Sequence, residues 1–169
     1  MIRGERTILR PALDDDLDLL VGWLAGPEVY RWWEGRPLSR DEVAEMYTGR
    51  RRPEVDPFII EADGVPVGYL QVWQGTRTSG GIDMFLVPEA RGRGLGPDAA
   101  RAASRFLLDQ RGWTEVTVDP MVDNIRAIRA LERAGFTPEG EGLDDETGKR
   151  ILRMVVRREV QDVKSARSY

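Results

Sequence analysis

The sequence predicts an α/β protein, in the broad sense that includes α+β folds. Segments with the composition of strands alternate with segments that have helical spacing, in the order β-α-β-β-β-α-β-α-β. Of the 169 residues, 41% are hydrophobic, which is enough to bury a core. We therefore expect residues 1–169 to form a single domain.

The first half of the chain contains a strand, a helix and a hairpin. Residues 7–10 have strand composition and end at Pro11, and the acidic residues 14–16 can cap the helix that follows. That helix carries Leu17, Leu20, Val21 and Leu24 at helical spacing. Residues 58–62 and 67–73 flank an Asp-Gly turn and predict a β-hairpin.

The second half alternates strands and helices. Strands are predicted over residues 81–87, 115–118 and 150–156, and helices over residues 98–111 and 124–134. Gly135 marks the end of the second helix. Strand-helix-strand units of this kind favour parallel pairing between neighbouring strands.

Composition excludes several kinds of chemistry. The chain has neither cysteine nor histidine, which removes disulfides, thiolate nucleophiles, Ser-His relays and the usual zinc and haem ligands, so we expect no metal. A net charge of −4 argues against general nucleic-acid binding. We find no apolar stretch long enough for a membrane span and no signal-type start, and therefore expect a cytoplasmic protein.

A glycine-rich segment separates the strand at 81–87 from the next helix. Residues 91–96 read RGRGLG, and Pro97 fits the first helical turn. Such a turn lets backbone N–H groups converge at a helix N-terminus, which suits phosphate. The plain alternative is an ordinary surface turn. The segment matches neither the Walker pattern nor the dinucleotide fingerprint, because it lacks Gly-Lys-Ser/Thr and has the spacing G-x-G-x-G.

RGRGLG resembles the Arg/Gln-x-x-Gly-x-Gly/Ala motif of the GCN5-related N-acetyltransferase (GNAT) superfamily, whose loop binds the pyrophosphate of acetyl-CoA. Residues 124–136 are similar to the family's "N-x-x-A-x-x-x-x-E-x-x-G-F" helix. The resemblance implies a central mixed twisted sheet of about seven strands flanked by helices, with the fourth and fifth strands splayed around acetyl-CoA. It implies that the acetyl-CoA-binding residues are Phe85, Leu86, Val87, Arg91, Gly92, Arg93, Gly94, Leu95, Gly96, Asn124 and Ala127.

Four shorter matches resemble the aminoglycoside 6′-N-acetyltransferases within that superfamily. They are Trp32-Trp33, Pro-Val-Gly-Tyr at 66–69, Gly-Ile-Asp at 81–83, and Val-Asp-Pro at 118–120 followed by Asn124. The resemblance implies a small cationic amine, such as an aminoglycoside, as acceptor. Its implied contacts are Trp32, Glu34, Asp83 and Asp119. The plain alternative is that the tryptophans pack in the core and the aspartates are solvated.

Asp83 is the leading candidate for the catalytic residue. An amine must lose a proton before it attacks a thioester, and without histidine the remaining side-chain bases are mainly Asp and Glu. The similar aspartate of the family is a general base or positions the amine. Asp119 follows the next strand, where open α/β sheets bind ligands. A backbone N–H within residues 84–86 would stabilise the oxyanion, and the lack of cysteine favours direct transfer in a ternary complex.

Two departures from the family pattern bear on the pocket. Leu131 stands where many members have a tyrosine that protonates the thiolate of coenzyme A. The segment 74–80 carries Arg77 and is short, whereas well-known aminoglycoside enzymes of this branch have a longer acidic insertion there. Negative charge near the acceptor could come from Glu34 and from the acidic residues between 139 and 146. We slightly prefer to interpret 139–146 as a solvated hairpin loop, and residues 50–52, three arginines, as a solvated loop.

Three functions fit these features. The first is acetyl-CoA-dependent N-acetylation of a small polyamine such as an aminoglycoside, by a monomer or homodimer. The second is acetylation of a protein N-terminus or lysine, as in the ribosomal-protein acetyltransferases that the opening segment also resembles. The third is an acyl-CoA-binding module without catalysis. The Trp-Trp, Gly-Ile-Asp and Asp-Pro matches favour the first.

Overall fold

A computed structural model describes residues 1–159. Its eight strands form one sheet in the order β1-β2-β3-β4-β5-β6-β8-β7. The strands are β1 (Ile2–Arg3), β2 (Ile8–Pro11), β3 (Val55–Ala62), β4 (Val65–Gln74), β5 (Ser79–Leu86), β6 (Glu115–Val118), β7 (Thr137–Leu143) and β8 (Arg150–Arg157). The α-helices are α1 (Leu17–Leu24), α2 (Pro27–Tyr30), α3 (Arg40–Tyr47), α4 (Leu95–Arg105) and α5 (Ile125–Arg133). Across residues 1–159, no helix is both long and apolar enough to cross a lipid bilayer.

The central strands carry buried side chains on both faces of the sheet, and helices cover both faces. Side chains alternate along a strand, so Ile59 and Ile60 of β3 point to opposite faces and both are buried. Ile60 belongs to the core under α4 and α5, whereas Ile59 belongs to the core under α1 and α3. This confirms the predicted α/β class with a mixed sheet flanked by helices.

Several elements differ from the sequence prediction. The sheet has eight strands, where the resemblance implies about seven. Two of them, β1 and β7, were not predicted from the sequence pattern, and β7 takes up residues 139–143 of the segment that we interpreted as a loop. The helix α3 was not predicted, although its start carries a capping box: Ser39 Oγ accepts from the Glu42 N–H at 3.2 Å. The helix predicted from residue 98 begins at Leu95, and residues 106–110 continue it as a π-helical turn.

The strands β5 and β6 run parallel and then separate. Their pairing is confined to Ser79–Glu115, Gly80–Val116 and Gly81–Thr117, beyond which β5 continues to Leu86 paired only with β4. A Cβ on Gly81 would lie 2.3 Å from the Trp73 ring and 2.7 Å from the Thr117 carbonyl oxygen, so glycine permits the close approach just before the strands part. The result is an unpaired edge of β5 over residues 84–86.

An N-terminal arm, residues 5–7, fixes the start of α4 through hydrogen bonds to Asp98. The Asp98 carboxylate accepts hydrogen bonds from the backbone N–H groups of Glu5, Arg6 and Thr7 at 2.9–3.0 Å, and from the Thr7 hydroxyl at 2.7 Å. The Arg6 guanidinium also donates to the carbonyl of Arg93. The arm therefore contacts both the glycine-rich loop, at Arg93, and the first turn of the helix that follows it, at Asp98.

Candidate active site

A cleft of about 1230 Å³ opens where β5 and β6 part. Ten of the predicted site residues line it: Trp32, Glu34, Asp83, Phe85, Leu86, Arg91, Gly96, Asp119, Asn124 and Ala127. Val87, Gly92, Arg93, Gly94 and Leu95 lie outside the lining, in the adjoining loop and the first helical residue. The cleft thus brings the predicted acceptor residues and most of the predicted acetyl-CoA residues to one place.

Asp83 is held by a side chain from the neighbouring strand. Gln71 lies directly opposite it in the β4–β5 register, and the Gln71 amide donates to Asp83 Oδ2 at 3.1 Å. The Tyr69 hydroxyl donates to Gln71 Oε1 at 3.0 Å, which fixes the orientation of the amide. Burial raises the pKa of Asp83 above its ordinary value, and the hydrogen bond from Gln71 opposes that rise.

Four aromatic rings pack together behind Asp83. The ring centroid of Trp33 lies 5.1 Å from that of Phe85 and 5.9 Å from that of Tyr69, both in edge-to-face geometry. The ring centroids of Tyr47 and Tyr69 are 5.3 Å apart. These rings belong to the core under α1 and α3. Trp33 is therefore a packing residue that also borders the cleft, as Trp32 does. The Arg31 guanidinium lies 4.7 Å from the ring centroid of Trp32.

Glu34 is fixed at the edge of the cleft by the same cluster. The Tyr47 hydroxyl donates to Glu34 Oε1 at 2.6 Å and accepts from Trp33 Nε1 at 2.9 Å. Burial and this hydrogen bond with Glu34 both raise the pKa of Tyr47. The tyrosine consequently stays neutral and presents the Glu34 carboxylate in one position.

Further acidic groups line the same cleft. Asp119 directly follows β6, and desolvation raises its pKa. Three further acidic residues line the cleft from the turn between β7 and β8: Asp144, Asp145 and Glu146. Glu139 and Glu141 instead form ion pairs with arginines of β8, so only the second half of segment 139–146 reaches the cleft.

The glycine-rich loop presents its backbone N–H groups. Gly92 and Gly94 have φ values of +74° and +76°, which favour glycine, and Gly94 is the N-cap residue of α4. Within residues 1–159, no hydrogen bond engages the N–H groups of residues 92–96. They form a concave donor surface at a helix N-terminus, which has the chemistry of a phosphate site.

Two predicted acetyl-CoA residues already serve the fold. The Arg91 guanidinium donates to the carbonyls of Leu86 at 3.2 Å and Glu28 at 2.8 Å, which braces the loop against β5 and α2. Asn124 caps α5, because its Oδ1 accepts from the Ala127 N–H at 3.3 Å. Each therefore shapes the cleft, whatever contact it makes with acetyl-CoA.

Sequence reasoning missed four residues of the site. Gln71, Tyr69 and Tyr47 hold the two carboxylates, and Arg51 lines the cleft although we interpreted residues 50–52 as a solvated loop. Gln71 could have been found, because the register of the predicted hairpin and its next strand places it opposite Asp83. Tyr69 lies two residues before Gln71 on the same predicted strand, whereas Tyr47 and Arg51 depend on α3 and the turn after it, which the sequence pattern did not predict.

Comparison with known proteins agrees with this geometry. The family model described as an acetyltransferase (GNAT) domain matches residues 12–143. Aminoglycoside N(6′)-acetyltransferase type 1 of Klebsiella pneumoniae is 33% identical over 155 residues, covering 81% of this chain and 77% of that protein.

Solved structures agree equally well. The structure of AAC(6′)-Ib in complex with paromomycin and acetyl-CoA has a TM-score of 0.82 at 29% identity, covering 97% of this chain and 99% of that one. The crystal structure of the same aminoglycoside acetyltransferase with coenzyme A and kanamycin has a TM-score of 0.80 at 29% identity, covering 90% and 95%. With the parted strands and the donor loop described above, these matches establish that the chain belongs to the GNAT acetyltransferase family.

Proposed function

We propose that this enzyme transfers the acetyl group of acetyl-CoA to the 6′-amine of an aminoglycoside. The observation that carries the proposal is the Asp83 carboxylate, held by Gln71 beside the unpaired edge of β5 in a cleft that also presents Glu34 and Asp119. A polycationic acceptor suits three carboxylates. The Klebsiella relative carries the same activity in its name.

Acetyl-CoA fits the other half of the cleft. The N–H groups of residues 92–96 would bind the pyrophosphate, with Arg93 in reach of the same phosphates. The free edge of β5 over Phe85, Leu86 and the following Val87 would hydrogen-bond the pantetheine arm. The small side chain of Ala127 would leave room beside it, since it lines the cleft.

The chemical step is a direct transfer between the two bound substrates. The amine nitrogen attacks the thioester carbonyl, the N–C bond forms as the C–S bond breaks, and coenzyme A leaves as the thiolate. Asp83 takes the proton that the amine loses, and the raised pKa of Asp83 brings it closer to the operating pH of a general base. A backbone N–H of residues 84–86 would stabilise the developing oxyanion.

Leu131 lines the cleft and has no hydroxyl to protonate the thiolate. A cysteine thiol has an ordinary pKa of about 8.5, and the thiolate of coenzyme A, another alkyl thiolate, is likewise a competent leaving group that solvent can protonate. We propose that this transfer needs no acid from the position of Leu131. We also propose that the enzyme acts in the cytoplasm as a single domain over residues 1–169, in a monomer or homodimer.

A thiol-release assay over a panel of amines tests the proposed function. With acetyl-CoA present, we expect kanamycin and other acceptors with a 6′-amine to release coenzyme A. A matched congener with a 6′-hydroxyl is expected to release little. Equal release from both, or release from peptide substrates alone, would contradict the proposal.

A further inference from the structure

Tyr69 and Gln71 lie two residues apart on β4 and form a short hydrogen-bonded chain that ends on Asp83. Because side chains alternate along a strand, both residues lie on the same face of the sheet. The Tyr69 hydroxyl donates to Gln71 Oε1 at 3.0 Å, and Gln71 Nε2 donates to Asp83 Oδ2 at 3.1 Å. Among residues 1–159, Gln71 is the one group that hydrogen-bonds the Asp83 carboxylate.

Tyr69 is the fixed end of this chain. It is fully buried, and its ring centroid lies 5.7 Å from that of Phe85, 5.3 Å from that of Tyr47 and 5.9 Å from that of Trp33. Burial raises the pKa of Tyr69, so the hydroxyl keeps its proton and remains a donor. In the described part of the chain, Gln71 Oε1 is the one acceptor that this hydroxyl has.

The buried hydroxyl decides which end of the Gln71 amide faces Asp83. An amide has an oxygen that accepts and a nitrogen that donates, and its neighbours select the orientation. A reversed amide would turn Oε1 toward Asp83 Oδ2 and leave the buried Tyr69 O–H without an acceptor, and both changes are unfavourable. Gln71 therefore meets Asp83 as a donor, which stabilises the ionised carboxylate more than the neutral acid.

The chain engages one oxygen of Asp83 and leaves the other free. No hydrogen bond within residues 1–159 engages Oδ1. Because every fully buried side-chain nitrogen or oxygen in that range has a partner, Oδ1 must be open to solvent. Asp83 lines the cleft, so Oδ1 is the oxygen that an amine bound there can reach.

Charged groups of other elements also surround Asp83. Glu34 follows α2 and Asp119 follows β6, and their negative charges disfavour ionisation of Asp83. Arg51 follows α3, and its positive charge favours it. Four further cations line the cleft: Arg31, Arg91, Arg126 and Lys149. Since none of these groups hydrogen-bonds Asp83 within the described residues, Gln71 is its direct polar contact.

We propose that Gln71 and Tyr69 are positioning residues: Tyr69 orients the Gln71 amide, and Gln71 holds Asp83 through Oδ2 so that Oδ1 accepts the proton of the acceptor amine. The inference rests on the proposed function for its kinetic consequence. In the step itself, an N–H bond of the ammonium breaks as an O–H bond forms at Oδ1, and the freed lone pair of the nitrogen attacks the thioester. Neither Gln71 nor Tyr69 gives or takes a proton.

The kinetic test is the acid limb of the pH profile of kcat/KM with kanamycin. Gln71→Met keeps the length of the side chain and removes the donor, so the pKa of Asp83 should rise and the limb should move to higher pH by roughly half a unit or more. Tyr69→Phe lets the amide reverse and should give a smaller shift in the same direction. Gln74→Met, a matched change at the exposed end of β4, should leave the limb in place, because Gln74 donates to the Thr76 carbonyl outside the cleft.

A double variant shows whether Tyr69 acts through Gln71. Without the amide, Tyr69 has nothing to orient, so the double variant with Gln71→Met and Tyr69→Phe should have the same acid limb as Gln71→Met alone. A further shift in the double variant would contradict the proposal, as would an unchanged limb in either single variant. A lower kcat/KM at every pH without a shift would mean that these residues only pack, and would also overturn it. If Gln71→Met does not fold, as judged by its thermal transition, Gln71→Leu supplies the variant without a donor.

A measurement without acceptor separates this inference from the proposed function. The Asp83 carboxyl can be titrated by ¹³C NMR in the free enzyme, with Asp83→Asn used to assign its signal. We expect a higher midpoint in Gln71→Met than in the wild type, whether or not any aminoglycoside is acetylated. Equal midpoints would overturn the inference, whereas a wild-type enzyme without thiol release would overturn the proposed function alone.

Discussion

Asp83 lies just beyond the last paired residues of β5 and β6, where we propose that the acceptor amine approaches the thioester. Because Asp83→Asn keeps the shape and removes the base, we expect kcat to fall by roughly 10²–10⁴ at neutral pH. The affinity for coenzyme A should stay unchanged, as titration calorimetry can check. Partial recovery of kcat at high pH would identify a proton acceptor, whereas a raised KM without recovery would identify a residue that only positions the amine. Wild-type rates would remove Asp83 from the reaction.

Asp119 follows β6 and lines the same cleft, where we propose that it contacts the cationic acceptor. Asp119→Asn should raise KM for a cationic amine by roughly 10- to 100-fold, since a charge-assisted hydrogen bond is worth roughly 1.5–3 kcal/mol. KM for acetyl-CoA is the internal control and should not move. Unaltered steady-state kinetics for kanamycin would exclude a contact between Asp119 and the acceptor.

At the scale of elements, we propose that the glycine-rich loop binds phosphate through its backbone N–H groups rather than through side chains. Gly94 has a φ of +76°, and a Cβ there would come 3.3 Å from Arg6 Nη1. Gly94→Val should therefore distort the donor surface and weaken coenzyme A binding by about tenfold or more, the value of one or two lost charge-assisted hydrogen bonds.

Gly112→Val is the matched control for that variant. Gly112 has a φ of +72° and nothing within 4 Å of its added Cβ, so it carries the same backbone strain away from the loop. Calorimetry should show normal affinity for the control. Equal affinities in the two variants would place the phosphate site elsewhere.

The N-terminal arm is a second element, and its hydrogen bonds to Asp98 contribute to the free energy of unfolding. Burial alone would raise the pKa of Asp98, but hydrogen bonds from Thr7, Arg6 and Glu5 bring it below its ordinary value. A lowered pKa means that the stabilisation is complete above the unfolded value of about 3.9 and is lost as the pH falls toward the folded value.

Asp98→Asn should consequently lower the free energy of unfolding by about 2 kcal/mol at pH 7, as measured by chemical denaturation. The difference from the wild type should narrow below about pH 4, because protonation weakens the wild-type clamp as well. Asp109→Asn, an exposed change further along the same helical segment, should have little effect. A constant difference across this pH range would show that the charge of Asp98 does not matter.

At the scale of the whole molecule, local patterns predicted the alternating elements and the loop. The hairpin and the strand at 81–87 place Gln71 against Asp83, so part of the site was also accessible from sequence. Arg51 was not, because three consecutive arginines look alike until α3 and the turn after it direct each side chain. The strand β7 was missed for a related reason: its exposed, glutamate-rich sequence is stabilised by arginines of β8, distant in the chain from Glu139.

The most direct measurement of the central claim is the structure of the reaction product. After wild-type enzyme acts on kanamycin and acetyl-CoA, mass spectrometry should show the gain of one acetyl group, and NMR should place it on the 6′-nitrogen. The same reaction with Asp83→Asn at neutral pH should give little of this product in the same time. Acetyl on another nitrogen, or no acetylated kanamycin with active acetyl-CoA present, would contradict the account.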